Sequence, residues 1–238
     1  MKKIANRDVQ TKGIAFSGIS KGVWVALAVL CVINIVMHLF VMPSLPERIP
    51  MHWGANGAVD GWGPRWAASA MGALPLGLLF LFYVMPRVDP KGEAYRKSGK
   101  FYQGFVTAFT VLLCGMTWLS ELSVRGIVPA RGAVNVLVSV MIGVLFIGMG
   151  NYMPRIRQNY TLGIKTPWAL ADPDNWRRTH RMGGRCFIVM GMLLIVIGLI
   201  SSAVPESQLM MMLLVAVFVP VIVPFVYSYL IWRKSQRI

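Results

Sequence analysis

Six long apolar stretches occupy most of the sequence and restrict what the chain can fold into. They lie at roughly 23–42, 67–85, 105–123, 133–150, 186–203 and 208–231. A helix needs about 20 apolar residues to cross the hydrocarbon core of a bilayer, and only a helix satisfies its own backbone hydrogen bonds there within one segment. Only 14% of the 238 residues are charged. We therefore predict an all-α integral membrane protein, a bundle of six transmembrane helices.

The stretches divide the chain into three helix pairs and four basic segments. The pairs are 23–85, 105–150 and 186–231, and the first contains a loop at 43–66. The basic segments are an arm at 1–22, a loop at 86–104, a loop at 151–185 and a tail at 232–238.

Basic residues are distributed unevenly along these segments. Of the 24 Lys and Arg residues, 20 lie in the four basic segments. Because short loops rich in Lys and Arg stay in the cytoplasm, we predict cytoplasmic N and C termini and an external, structured first loop. The fourth loop is then cytoplasmic and basic. The net charge of +15 follows from this topology, with anionic lipid headgroups as its partner and no direct nucleic-acid partner.

Several polar residues interrupt the apolar stretches, where they cost free energy and often have a function. By the predicted topology they form an outward intramembrane polar cluster of Asn34, His38, Glu121, Asn135 and Ser139. Asn34 and His38 are four residues apart and share a helix face, as do Asn135 and Ser139. Two interpretations remain open, namely hydrogen bonds between helices or the lining of an outward cavity.

The first loop, "LPERIPMHWGANGAVDGWGPRW", contains glycines and prolines that exclude a continuous helix and indicate tight turns. We predict a compact cap whose external binding face is formed by His52, Trp53, Asp60 and Trp62. His52 and Asp60 are two candidate metal ligands without a third, so no metal or other cofactor is predicted. The three cysteines are far apart in sequence and are expected to be small apolar residues within helices.

The fourth loop includes "NYTLGIKTPWALADPDNWRRTHRMGG". Asp172 followed by Pro173 is typical of a helix start, and Gly183 with Gly184 can end that helix. We predict a short helix lying in the lipid headgroup layer. Its aromatic face would contain Trp176 and His180, and its basic face Arg177, Arg181 and Arg185. The segment is either a connector that sets the topology or a binding surface.

The longer stretch "NYMPRIRQNYTLGIKTPWALADPDNWRRTHRMGGR" resembles the signature of the SdpI family of bacterial membrane proteins. The first loop, "LPERIPMHWGANGAVDGWG", resembles a domain of unknown function that often precedes this signature. Both stretches occur in the order that the family has. The resemblance covers most of the chain beyond the N-terminal arm.

The resemblance implies immunity in the bacterial cytoplasmic membrane. A member of this family protects a bacterium from a secreted toxic peptide by binding or sequestering it, and also recruits a small repressor to the membrane. The external face would meet the toxin. The inward face, where a repressor would dock, consists of Asn159, Gly163, Lys165, Pro167, Trp168, Trp176, Arg177 and His180.

Two other classes of protein remain as alternatives. A small-molecule or peptide transporter would use the outward polar residues, although the cytoplasmic halves of the helices are mainly apolar. A membrane enzyme would need a site built from separated residues, such as His38 with Glu121, because no HExxH motif is present. We predict no catalytic residue and no enzymatic activity.

Overall fold

The computed structural model describes residues 18–128 and 133–236, so most of the predicted N-terminal arm lies outside it. Among the described residues, six helical segments are long and apolar enough to cross a membrane. They are α1 (Lys21–Val41), α2 (Trp66–Val88), α4 (Gly99–Thr117) continued by α5 (Leu119–Val124), α6 (Ala133–Tyr152), α8 (Pro173–Ile200) and α9 (Glu206–Ser235). The predicted all-α, six-helix membrane bundle is confirmed.

The spanning helices form two groups of three. In the first group α1, α2 and α4 surround an apolar core that includes Trp24, Phe82 and Tyr102. In the second group α8 packs between α6 and α9, and α4 contacts α6 to join the groups. The first loop lies at one end of the bundle, the hairpin end. The signature segment, residues 151–185, begins at the opposite end, the signature end.

The first loop forms an antiparallel β-hairpin of β1 (Arg48–Trp53) and β2 (Val59–Pro64). Gly57 has φ +76° in its turn, a conformation that favours glycine. Buried Ile49 packs with Leu45 and Ala68 and fixes the hairpin on the start of α2. The tight turns expected from the glycines are therefore present, in a strand pair.

The second loop is shorter than the predicted 86–104. Helix α2 continues to Val88, a short helix α3 occupies Glu93–Lys97, and α4 begins at Gly99. The prediction took the edges of the apolar stretches as the helix ends, but polar residues also extend a helix beyond the hydrocarbon.

Helix α8 begins as predicted, because the Asp172 carboxylate accepts hydrogen bonds from the backbone N–H groups of Asp174 and Asn175 at 2.9 and 3.1 Å. The predicted end at Gly183 and Gly184 is wrong. The helix runs for 28 residues without a break, about 42 Å at the usual rise. The residues from Pro173 onward therefore form the first part of a spanning helix, where the prediction had a separate short helix.

The two glycines have a packing role in place of a terminating one. Both are buried, and a Cβ atom on Gly184 would lie 2.6 Å from the carbonyl oxygen of Gly150 on α6. Gly143 and Gly191 meet in the same way further along the two helices. Small residues allow membrane helices to pack backbone against backbone, so Gly184 and these other glycines join α6 to α8, whereas Gly183 faces the side chains of Ile164 and Met153.

Candidate functional site

A group of five residues from α1, from α5 and from the junction of α4 with α5 lies at the hairpin end. We call it the His38 cluster, and it consists of Asn34, His38, Thr117, Trp118 and Glu121. His38 Nδ1 and Glu121 Oε1 are 2.5 Å apart, and the side chains are 0% and 1% exposed. The cluster therefore joins the first and third spans by a fully buried acid–base pair.

The hydrogen-bond pattern determines the number of protons on this pair. Thr117 donates its one hydroxyl proton to the carbonyl oxygen of Cys114 at 2.8 Å. Its oxygen can then only accept from His38 Nε2, at 3.2 Å, so Nε2 is protonated. The 2.5 Å contact of Nδ1 with Glu121 needs a second proton between the two atoms. The pair therefore holds two protons and has no net charge.

The remaining members hold the His38 ring in place. Trp118 stacks on it with ring centroids 4.1 Å apart and donates its indole N–H to Asn34 Oδ1 at 2.8 Å. Asn34 in turn donates to the carbonyl oxygen of Gly72 at 3.0 Å. A side chain on Gly72 would overlap the His38 ring. Within the described residues, Glu121 Oε2 is buried without a hydrogen-bond partner.

Asn135 and Ser139, the other two members of the predicted outward cluster, lie elsewhere. Asn135 donates to the carbonyl oxygen of Ala55 at 2.5 Å and so attaches the hairpin turn to α6. Ser139 faces Gly198 on α8. The structure thus separates the predicted cluster into a group of three around His38 and a pair on α6, because α6 packs against α8.

The predicted external face is partly assembled. His52 Nδ1 and Asp60 Oδ1 are 2.6 Å apart on exposed side chains. Trp53 points towards the helices and lines two cavities beneath the hairpin, one of about 370 Å³ and one of about 350 Å³. Trp62 lines neither cavity and is 56% exposed. The first three residues therefore share a site and Trp62 does not.

At the signature end, Asn159 organises the turn of its own segment. Its side-chain oxygen accepts from the backbone N–H groups of Leu162 and Thr161 at 2.6 and 3.0 Å, and its amide donates to the carbonyl oxygen of Arg157 at 2.8 Å. Asn159 is buried, so its role in the fold is to satisfy backbone groups that no regular element pairs.

Asp89, which the sequence interpretation missed, attaches this turn to the second loop. Its Oδ2 accepts from the backbone N–H of Tyr160 at 3.0 Å and from the Thr161 hydroxyl at 2.9 Å. The Tyr95 hydroxyl also donates to it, and burial, with the Asp89 charge, raises the pKa of Tyr95. The sequence feature that could have pointed to Asp89 is an acidic residue, followed by Pro90, in an otherwise basic loop.

His180 on α8 hydrogen-bonds to the backbone of the signature segment. Its Nδ1 donates to the carbonyl oxygen of Trp176 at 2.8 Å, and its Nε2 accepts from the backbone N–H of Ile164 at 3.2 Å. Because Nε2 accepts a hydrogen bond, the ring is neutral. Gly163 has φ +101° and leaves no room for a Cβ atom beside this ring. The close contact of the turn at Gly163 with the His180 ring therefore requires glycine, and the Ile164 N–H in this turn requires the ring as its acceptor.

Trp176 and His180 share a face, as predicted, but this face lies inside the protein and not on a separate helix in the headgroup layer. Trp176 and His180 are 2% and 0% exposed inside the protein, with ring centroids 3.9 Å apart. Trp176 donates its indole N–H to the carbonyl oxygen of Ile156 at 2.9 Å. The backbone before α8 is irregular, and its Ile156 carbonyl and Ile164 N–H find their hydrogen-bond partners in these two rings. Both rings therefore lie inside the protein. Arg177 is exposed and pairs with Asp174 at 2.8 Å.

The other signature residues contact α9 or the solvent. Pro167 is the first residue of the short helix α7 (Pro167–Ala171), and Trp168 packs against Tyr229 with ring centroids 5.1 Å apart. Lys165 is exposed and donates to the carbonyl oxygen of Thr161 at 3.0 Å.

A buried polar network, also missed in the sequence, connects α7, α8 and α9 beneath α7. Its members are Thr166, Asn175, Thr179 and Ser228. Asn175 donates to the backbone carbonyl oxygen of Ser228 at 3.0 Å, and the hydroxyl oxygens of Thr166 and Ser228 are 2.6 Å apart. The network fixes the signature segment against α9.

Between the second loop and the signature segment lies a cavity of about 950 Å³, which we call the basic groove. Its charged lining consists of Lys91, Lys97, Arg155, Arg157, Arg177 and one acid, Glu93. Trp176 also lines it. The groove therefore suits an anionic ligand.

Comparison with known proteins yields two family matches. The model of the SdpI/YfhL protein family matches residues 155–228, and that of a domain of unknown function, DUF1648, matches residues 29–76. The resemblance to the SdpI family is confirmed. The Immunity protein SdpI of Bacillus subtilis (strain 168) is 20% identical over 213 residues, which are 88% of this chain and 95% of the relative. No solved structure matches the chain.

Each matched segment contains the buried histidine of one end of the molecule. Residues 29–76 include the hairpin and His38, whereas residues 155–228 include the turn at Asn159 and the His180 ring. Glu121 and Asp89 lie between the two segments. Each end therefore combines residues of a family segment with a carboxylate from outside it.

Proposed function

We propose that this multi-pass membrane protein protects a bacterium from a secreted toxic peptide by binding and sequestering it at the hairpin end, in the cytoplasmic membrane and without catalysis. The observation that carries the proposal is the similarity to an immunity protein over nearly the whole length of both chains. Both family segments occur together in this chain. The hairpin with its two cavities is the surface that would receive the peptide.

The test is survival of a sensitive bacterium that expresses the protein and is challenged with candidate toxic peptides. We expect Trp53→Ala to lose protection, because Trp53 lines both cavities. Trp168→Ala, at the opposite end and matched for membrane abundance, should retain it. Absence of protection by the wild type against every peptide would contradict the proposal.

A second activity, recruitment of a small repressor to the membrane, is supported by the basic groove. Five cationic side chains and one acid line it, so a repressor with an acidic surface would fit. The exposed residues Arg177, Arg181 and Arg185 on α8 would contact anionic lipid headgroups nearby.

Repressor recruitment is tested by measuring the membrane fraction of a fluorescent candidate repressor in cells exposed to the toxic peptide. We expect Arg155→Gln/Arg157→Gln to reduce this fraction and to leave survival unchanged. Arg125→Gln changes an exposed charge at the hairpin end and is the matched control. Equal recruitment by all three proteins would exclude the groove as the docking surface.

Transport and catalysis are less well supported. Apolar side chains such as Leu79, Phe82 and Val106 fill the centre of the first three spans, where a transporter would need polar groups. The His38–Glu121 pair is fully buried, so a substrate would have no direct access to it. Uptake of labelled peptide into proteoliposomes would distinguish transport from sequestration.

A further inference from the structure

The two cavities beneath the hairpin share a wall, and we call the two together the chamber. His52, Trp53, Asn135 and Val138 line both parts. One part extends between α6, α8 and α9, and the other between α2, α4 and α6. Their deeper walls are mainly apolar side chains such as Met116 and Leu194. The chamber therefore suits apolar groups that enter beside the hairpin turn.

Two carboxylates converge at the mouth of the larger part. His52 contacts Asp60 Oδ1, and Asn56 donates to Glu206 Oε2 at 2.9 Å. The second oxygens, Asp60 Oδ2 and Glu206 Oε1, both face Gly54, where a Cβ atom would lie 3.2 and 3.1 Å from them. Among the described residues neither of these oxygens has a hydrogen-bond donor. This mouth is negatively charged in a chain of net charge +15.

The wall between the two parts contains a polar atom without a partner. Trp53 Nε1 is buried and has no hydrogen-bond acceptor within the described part of the chain. A buried donor without an acceptor is unfavourable. Because Trp53 lines both parts of the chamber, a ligand there can supply an acceptor, and a peptide carbonyl oxygen is the simplest one.

From these three features we infer that the chamber binds a cationic amphipathic peptide segment. An ammonium or guanidinium group lies between Asp60 Oδ2 and Glu206 Oε1, a backbone carbonyl accepts from Trp53 Nε1, and apolar side chains occupy the two parts. This inference rests on the proposed immunity function and specifies the chemistry of the peptide that the protein recognises.

The test uses the full-length protein in nanodiscs of zwitterionic phosphatidylcholine and two short dye-labelled amphipathic peptides. One peptide contains Leu and Lys, and the other has Glu in place of each Lys. Binding is measured by fluorescence anisotropy, with empty nanodiscs subtracted. We expect the Lys peptide to bind roughly tenfold more tightly than the Glu peptide, because like charges at the mouth repel the latter.

Variants then locate the contacts. Asp60→Asn/Glu206→Gln should weaken binding of the Lys peptide roughly tenfold, because each exposed ion pair contributes a few-fold. Trp53→Phe retains the apolar ring, removes the donor and should weaken binding roughly fivefold. Glu47→Gln removes an exposed hairpin-end carboxylate that lines neither cavity and should change nothing.

Equal binding of both peptides, or unchanged binding by the double variant, would overturn the inference. The fluorescence of Trp53 is taken as the difference between the wild type and Trp53→Phe, because the chain has eight tryptophans. If brominated lipid still quenches this difference at saturating peptide, the inference is overturned, since lipid would then fill the chamber. Survival separates the two proposals. A double variant that protects as well as the wild type leaves immunity intact and rejects this site, whereas tight Lys-peptide binding without protection supports the site and rejects immunity.

Discussion

The hairpin end and the signature end each contain a fully buried histidine stacked on a tryptophan, but the two histidines are stabilised differently. His38 pairs with a carboxylate 83 residues away on another span. Among the described residues, His180 hydrogen-bonds to backbone groups alone, those of Trp176 and Ile164. The first arrangement has an acid–base pair at its centre, whereas the second uses a neutral ring as a support for an irregular turn. The two ends should therefore respond differently to substitution.

The largest effect is expected from Glu121→Ala, which leaves His38 buried without its acid partner. Breaking a buried pair in this way costs about 3–5 kcal/mol, or roughly 10 °C in melting temperature for a chain of this size. Thermal unfolding in nanodiscs measures it. The double variant His38→Leu/Glu121→Leu should recover most of the loss, because apolar replacement of a whole buried pair is often neutral. An equal loss in both variants would contradict the prediction, because it would show that leaving His38 buried without its acid partner adds no cost.

A smaller loss is expected from Gly163→Ala at the signature end. The residue has φ +101° and its Cβ atom would meet His180, so we expect about 2–3 kcal/mol of strain. Gly126→Ala is the matched control, since Gly126 has φ +69° but open space around it. Melting temperatures of the two variants make the comparison. Equal losses would mean that the contact with His180 adds nothing to the backbone strain.

His180→Phe tests the neutral histidine directly. Phenylalanine retains the stacking on Trp176 and removes the acceptor for the Ile164 N–H, so we expect a loss of about 1–3 kcal/mol. Hydrogen exchange should accelerate at Ile164 and its neighbours and remain unchanged in the hairpin. His38→Phe, by contrast, should cost more because it leaves Glu121 unpaired. If the two variants lost the same stability, the distinction between the ends would fail.

The smallest effect is expected from Arg177→Gln. Its ion pair with Asp174 is exposed on both sides, and such pairs contribute less than about 1 kcal/mol. The melting temperature should stay within about 2 °C of the wild type. A larger shift would indicate that Arg177 has a structural contact beyond Asp174, in conflict with a surface role in the basic groove.

These two regions also show what the sequence can reveal. The helix count followed from the apolar stretches, and the four-residue spacing correctly placed Asn34 and His38 on one face. The predicted topology put His38 and Glu121 in one cluster, but their direct hydrogen bond depends on how separate spans pack, which no local pattern records. Gly183 and Gly184 were misinterpreted because glycines that often end helices also allow close packing inside one, against α6 at Gly184 and against Ile164 and Met153 at Gly183. Asp89 and Ser228 were missed because their partners are distant in sequence.

The His38–Glu121 pair also has a consequence for how the protein is made. The third span, which contains Glu121, is the least apolar of the six. An unpartnered carboxyl group is costly in hydrocarbon, and its partner is on a span synthesised 83 residues earlier. We therefore expect the third span to be more stable in the membrane when the first span is already beside it. The pair would then couple the insertion of these two spans.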